Sequence, residues 1–135
     1  SSATILTDSS GNYAFSGLTS GGSYTVTPTK PALAPGSGNI NTVDVIATQR
    51  HFLNLNVIPA GCRLSAADVN SDTNISTVDV VAIQRFFLGL TTGTANVGKY
   101  QFIPANRSYS GIVSDQIGQT FNTFIFGDVA SPFSN

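Results

Sequence analysis

Methionine and tryptophan are absent from this chain, cysteine and histidine occur once each, and only six basic and seven acidic side chains are spread over 135 residues. A formal net charge of −1 provides no basic footprint for nucleic acid and no polybasic patch for an anionic membrane surface. No apolar run approaches the ~20 residues that a membrane-spanning helix needs. One cysteine, Cys62, excludes an intrachain disulfide framework. With no His or Lys near it in sequence, Cys62 reads as a small packed hydrophobe and not as a reactive thiol. The lack of an initiator Met makes a mature or trimmed product the simplest expectation. Few charges among abundant Ser, Thr, Gly and Asn point to an extracellular or cell-surface protein.

What is present is a repeat. Residues 39–55, NINTVDVIATQRHFLNL, recur as residues 74–90, NISTVDVVAIQRFFLGL, with 12 of 17 positions identical at an offset of 35. Similarity at this level says that one helical unit was used twice. Val45, Thr48, Phe52 and Leu55 fall on one stripe, as do Val80, Ile83, Phe87 and Leu90. Thr42 and Thr77 stand near the helix starts. Asp44 and Asp79 lie in the first turns, where the positive end of the helix dipole favours them. The segment between the copies holds Pro59, Gly61 and a short helix around residues 65–67.

The flanks have a different period. Residues 3–7, 13–15 and 24–27 alternate polar with apolar and are separated by Gly/Ser/Asp turns, which predicts three antiparallel strands closed by Pro28 and Pro31. From about Val97 the period of two returns at residues 100–104, Tyr109 and residues 120–126. The apolar stretch 121–126 demands burial. The expected architecture is mainly β with an α insertion. Residues 1–32 give the first strands of a β-sandwich, residues 33–92 the helical insertion, and residues 93–135 the closing strands of the same sandwich.

The second helix copy follows a run of oxygen-bearing side chains. Numbered from Asp68, the loop places Asp68, Asn70 and Asp72 at positions 1, 3 and 5. Asn74 follows at 7 as a backbone carbonyl, Ser76 at 9 and Asp79 at 12. A tight loop turns alternate residues inward, and Ca²⁺ takes six to eight oxygens, so this run predicts one Ca²⁺ site. Ile75 at position 8 should turn to the core. Thr73 stands where glycine would ease a positive φ, and Asp79 reaches less far than Glu. A metal-free Asx-rich turn is the simpler alternative, but a cap needs one oxygen and this run supplies five or six. The first copy keeps Asn39, Asn41 and Asp44 and has Leu33, Pro35 and Ser37 where the other ligands belong. A second, degenerate site at Asn39, Asn41 and Asp44 is therefore expected to be empty or weak, with Asp44 serving the helix dipole.

Residues 33–90, with DVNSDTNISTVDVVAIQRFFLG at their centre, resemble the dockerin domain, an EF-hand-type helix pair. The match extends to loop and helix in the second repeat and to the helix alone in the first. That resemblance implies a cohesin-like partner bound through Thr77, Val78, Gln84 and Arg85, with Thr42, Val43, Gln49 and Arg50 as the symmetric set. TDSSGNYAFSGLTSGGSYTVTP resembles the carboxypeptidase-regulatory-like (transthyretin-like) sandwich family at Asp8, Gly11, Tyr13, Phe15, Leu18, Gly22, Tyr24 and Val26. YQFIPANRSYSGIVSDQIGQTFNTFIFGDV is similar to that sandwich's closing strands. The family's sandwich begins with two further strands, so this chain opens at what should be the third. An Ig/transthyretin-like sandwich lacking strands would expose an apolar groove and unpaired edges. A neighbour's donated strand fills both, and head-to-tail repetition builds a fibre.

Three functions compete. The first is a secreted structural subunit of a filament or surface assembly, self-associating through the open edge, with Ca²⁺ stiffening the insertion. The second is a recognition module for a cohesin-like protein. The third is an enzyme, which is disfavoured: His51, the lone histidine, aligns with Phe86 and has no nucleophile elbow or carboxylate pair beside it. Sequons occur at Asn74-Ile-Ser76 and Asn106-Arg-Ser108. Asn106, on an inter-strand turn, is the better glycosylation acceptor, because a glycan on Asn74 would compete with the cation loop.

Overall fold

The computed structural model describes residues 2–130. The two repeat copies form α1 (Thr42–Phe52) and α3 (Thr77–Phe87), with α2 (Cys62–Ala67) between them. Four strands flank them in sequence: β1 (Gly22–Val26), β2 (Tyr100–Ile103), β3 (Arg107–Ile112) and β4 (Asn122–Ile125). The molecule is mixed α/β, with more residues in helix than in strand among those described.

Both repeat helices begin in the same way. Asn41 caps α1 and Ser76 caps α3; each side chain accepts a hydrogen bond from the second helical N–H, and the third-position Asp44 or Asp79 accepts from the cap's own N–H. These are capping boxes with Asp in place of the usual Glu or Gln.

The buried stripe differs from the expected one. Asp79, Ala82, Ile83 and Phe86 are buried on α3, and Asp44 and Thr48 on α1, while Phe52, Leu55, Phe87 and Leu90 are exposed. Each helix is rotated so that its first-turn carboxylate faces inward. Hydrogen bonding by Asp44 and Asp79 sets that rotation, and the aromatic residues at 52 and 87 are left at the rim. Cys62 is half-buried, looser than the packed position expected for it.

The strands form two antiparallel two-stranded sheets. In one, β1 pairs with β3, matching Tyr24 to Tyr109 and Val26 to Arg107, with a bulge near Gly22. In the other, β2 pairs with β4, matching Tyr100 to Ile125 and Ile103 to Asn122. The chain thus alternates between ladders, crossing through Pro104, Ala105 and Asn106. Of the three strands expected in residues 3–27, only the last forms a ladder. Residues 3–7 and 13–15 form no strand, although an Asp8–Asn12 turn joins them. Alternation marks residues that fit a sheet, but a ladder also needs a partner backbone. Tyr13 is instead held by its ring against Phe15 and Phe121 and by its hydroxyl, which donates to the Gln119 carbonyl.

The hydrophobic core lies at the helical pair. Ile40, Ile58, Ala67, Val69, Ala82, Ile83, Phe86, Val97 and Val129 form one buried cluster, with Leu33, Val45, Ile75, Ile125 and Phe126 packed on it. Val97 and Val129 belong to the expected closing strands, so packing runs across the boundary drawn at residues 92 and 93. Backbone bonds join the parts as well. Gly127 N–H donates to the Ala66 carbonyl at 2.8 Å, and Leu33 N–H to the Gly98 carbonyl at 2.9 Å. No helix among the described residues is long and apolar enough to cross a membrane.

Candidate metal centre

The loop from Asp68 to Asp79 joins α2 to α3, and its fold follows from its short polar side chains. Asp68 accepts from the backbone N–H of Asp72 through Oδ1 (3.1 Å) and of Thr73 through Oδ2 (2.8 Å). Asp72 Oδ1 accepts from Asn74 N–H at 2.9 Å, and its Oδ2 from the Asn70 side-chain amide at 3.0 Å. Asp79, 0% exposed, accepts from Val69 N–H at 2.9 Å through Oδ1 and from Ser76 N–H at 2.9 Å through Oδ2. Short Asx side chains bonding nearby N–H groups wind the segment into consecutive tight turns. Ser71 and Thr73 take positive φ values of 57° and 71° to complete them. A β-branched residue there is strained, because its Cβ crowds the backbone.

Three carboxylates converge as a result. One oxygen from each of Asp68, Asp72 and Asp79 lies within 4.8 Å of the others. Two oxygens bound to one Ca²⁺ at 2.3–2.6 Å can be no further apart than about 5 Å, so this separation suits a single ion. The donor set is oxygen alone, which suits hard cations such as Ca²⁺, Mg²⁺ and Mn²⁺. The side chains of the remaining expected ligands make hydrogen bonds within the loop. Asn70 lies against Asp72. The Asn74 side-chain amide donates to the Asp72 carbonyl at 3.4 Å. The Ser76 hydroxyl is engaged in capping α3. Ile75 is half-buried on the core, as its loop position requires.

Burial raises the Asp79 carboxyl pKa, and three backbone N–H groups oppose that shift. The proximity of Asp68 adds a smaller upward push. A cation among these carboxylates would relieve both causes.

The first repeat is built differently from what its sequence suggests. Asp44 is 2% exposed, and its Oδ1 accepts from Val129 N–H at 2.7 Å and Ala130 N–H at 2.9 Å. Its Oδ2 accepts from Asn41 N–H at 2.9 Å. Asp44 is therefore more than a dipole partner: it fastens a distant segment of the chain. Beside it Asp128 is 3% exposed, and its Oδ1 has no hydrogen-bond partner among the described residues. Burial first, and then the charge of Asp44, raise the Asp128 carboxyl to about 6. Sequence reading missed Asp128. The one available signal was the Asp128-Val129 doublet, which repeats Asp68-Val69.

The partner-binding set divides. Thr42, Val43, Gln49, Arg50, Thr77, Val78 and Gln84 are exposed, with Val43 and Val78 each 57% exposed at equivalent positions. Arg85 is half-buried, and its guanidinium is tied to Thr92 by bonds of 2.7 and 3.1 Å. Asn106 is exposed between β2 and β3. His51 is structural in its contacts, since Nδ1 accepts from Ile58 N–H at 2.9 Å.

Comparison with protein-family models, with curated proteins and with solved structures finds no match.

Proposed function

We propose that the chain is a non-catalytic structural subunit of an extracellular filament or surface assembly, joined by strand donation and stiffened by Ca²⁺ at Asp68, Asp72 and Asp79. The observation that carries this reading is the state of the sheets. Each strand among the described residues pairs on one side only, so both two-stranded ladders present open edges. Isolated two-stranded ladders are marginal in water, and open edges invite a further strand. Material suited to that role is at hand. Residues 3–7 alternate in strand fashion, have no ladder of their own, and leave Leu6 91% exposed. A donated strand satisfies the ladder's backbone groups and buries its apolar side chains in one step. Alternation of the chain between the two ladders supports an Ig/transthyretin-like sandwich as the frame to be completed.

Within that reading the cation would offset two of the three converging negative charges and fix α2 against α3. The protein's own groups hold the loop: Asp68 and Asp72 orient the turns, and Asp79 clamps Val69. The hydrogen bond that engages His51 supports a non-catalytic role. Low charge and an oxygen-only cation loop support an extracellular location. Exposed Asn106 is the proposed glycan acceptor.

Negative-stain microscopy and light scattering of the purified chain over a concentration series test the assembly. Filaments or a concentration-dependent rise in mass are expected, and Leu6→Lys should suppress them. A strict monomer at all concentrations would sink the proposal.

A second reading, a dockerin-type module binding a cohesin-like protein, is favoured by one observation. Val43 and Val78 are equally exposed on the two repeat helices. Tight binding of the monomer to a cohesin, abolished by Val78→Asp, would establish that reading.

A further inference from the structure

The two repeat helices receive equivalent clamps from different parts of the chain. On α3, Asp79 Oδ1 accepts from the N–H groups of Val69 and Asn70, the two residues after Asp68. On α1, Asp44 Oδ1 accepts from the N–H groups of Val129 and Ala130, the two residues after Asp128. Val69 and Val129 both sit fully buried in one core cluster. Gly127 N–H is bonded to the Ala66 carbonyl, which ties the two segments together just ahead of their Asp-Val doublets. Asp128 is thus to Asp44 what Asp68 is to Asp79. The half of the repeat whose local loop lacks the first ligands has its first position filled by a residue 84 positions away.

We infer that Asp128 and Asp44 form a second site for a hard divalent cation, Ca²⁺ foremost, assembled from α1 and the segment after β4. Both carboxylates are nearly buried, Asp44 is bonded to the two residues that follow Asp128, and the Asp128 Oδ1 atom has no hydrogen-bond partner among the described residues. A buried anionic oxygen without a partner is costly, and a cation held between the two carboxylates satisfies it. Asn39 and Asn41 stand in sequence where the loop has Asn74 and Ser76, and they offer further oxygens. Equivalents of Asn70 and Asp72 are lacking: Ala130 stands where the loop has Asn70. The site should therefore bind more weakly than the loop, by about tenfold or more, because affinity follows ligand charge and number. The inference stands apart from strand donation, since a monomer can hold both ions.

The test is a Ca²⁺ titration of the metal-free full chain followed by amide NMR and native mass spectrometry. Two ions per chain are expected. The Val69 and Asn70 amides should move with the first equivalent, and those of Val129 and Ala130 with the second, weaker one. Asp128→Asn should remove the second event and leave the first, while Asp72→Asn should weaken the first and leave the second. Saturation at one ion in the unmodified chain, with the Val129 and Ala130 amides unmoved, would overturn the inference. So would two ions bound by a folded Asp128→Asn variant. The wild-type arm decides the matter even if that variant fails to fold.

Discussion

Gly98 lies against the ring of Phe86 so closely that a Cβ on Gly98 would stand 2.7 Å from the ring and 3.0 Å from the Leu33 carbonyl. Phe86 is among the most buried side chains of the core, and Gly98 has a φ of +89°. Its N–H donates to the Phe126 carbonyl and its carbonyl accepts from Leu33 N–H, both at 2.9 Å. One glycine thus brings the strand region, the segment before α1 and the end of α3 to a common point. Gly98→Ala adds a steric clash to a left-handed strain, and neither the ring nor the backbone can retreat. A loss of about 2–4 kcal/mol is expected in a chemical denaturation series. Gly11→Ala, at φ +81° but with nothing near its Cβ, should cost only the strain.

Thr73 holds the turn in the middle of the Asp68–Asp79 loop at φ 71°. A β-branched side chain resists that conformation, whereas glycine accepts it freely. Thr73→Gly should stabilise the folded chain by about 0.5–1 kcal/mol, because relief of strain outweighs the added freedom of the unfolded state. Calcium affinity should rise as well, and calorimetric titration beside a thermal melt checks both. A weaker affinity would mean that the Thr73 N–H bond to Asp68 depends on the strained turn.

Saturating Ca²⁺ should stabilise the native chain, by about 2.7 kcal/mol when free ion stands at a hundredfold excess over the dissociation constant. Asp72 is exposed and makes only loop contacts, so Asp72→Asn should leave the metal-free melting temperature nearly unchanged and remove most of the calcium-dependent rise. Asp79→Ala acts differently. It also orphans the N–H groups of Val69 and Ser76, so it should lower the melting temperature even without metal. Equal melting of the wild type with and without calcium would eliminate the site.

The pH dependence of the metal-free chain should run against the usual acid trend. The Asp128 carboxyl is raised from 3.8 to about 6, and burial raises Asp79 in the same direction. A folded state that holds protons more tightly than the unfolded one loses stability as pH rises through the interval between the two values. In metal-depleted buffer, stability should therefore fall from about pH 4 to about pH 6 and level off above, and Asp128→Asn should flatten much of that slope. Asp8, lowered by the N–H groups and side-chain amide around it, acts oppositely and below that window. With calcium present the slope should reverse, since the ion requires deprotonated carboxylates.

The repeat helices and the convergence of Asp68, Asp72 and Asp79 are legible in the sequence because both are local. Twelve shared residues predict two equal helices, and alternate oxygens predict converging ligands. The rotation of each helix was not legible. Scoring apolar spacing favours Phe52 and Phe87, whereas the inward hydrogen bonds of Asp44 and Asp79 decide which face is buried. Residues 3–7 and 13–15 show the same limit, since alternation specifies a face and not a partner strand. Asp128 escaped notice because it meets Asp44 across 84 positions, and only the core that closes over Val129 brings them together.

His51 and Phe86 occupy the same position in the two repeats, so the alignment alone would call His51→Phe a harmless exchange. The structure argues otherwise. His51 Nδ1 accepts from the N–H of Ile58, a buried residue of the core cluster, at 2.9 Å. That bond closes the turn between α1 and α2, a segment with few backbone bonds of its own. Phenylalanine would leave the Ile58 N–H without an acceptor in a largely buried place, which costs about 1–3 kcal/mol. The larger apolar ring regains part of that through burial, because His51 is only half-exposed, so a net loss of about 1 kcal/mol is expected. Asparagine places its Oδ1 where the histidine places Nδ1, at the same distance along the side chain. His51→Asn should therefore keep the bond and retain more of the stability than His51→Phe, despite its smaller size. Hydrogen exchange at the Ile58 amide separates the two effects: protection should persist in His51→Asn and fall in His51→Phe. The opposite order would show that packing, and not this hydrogen bond, holds the turn.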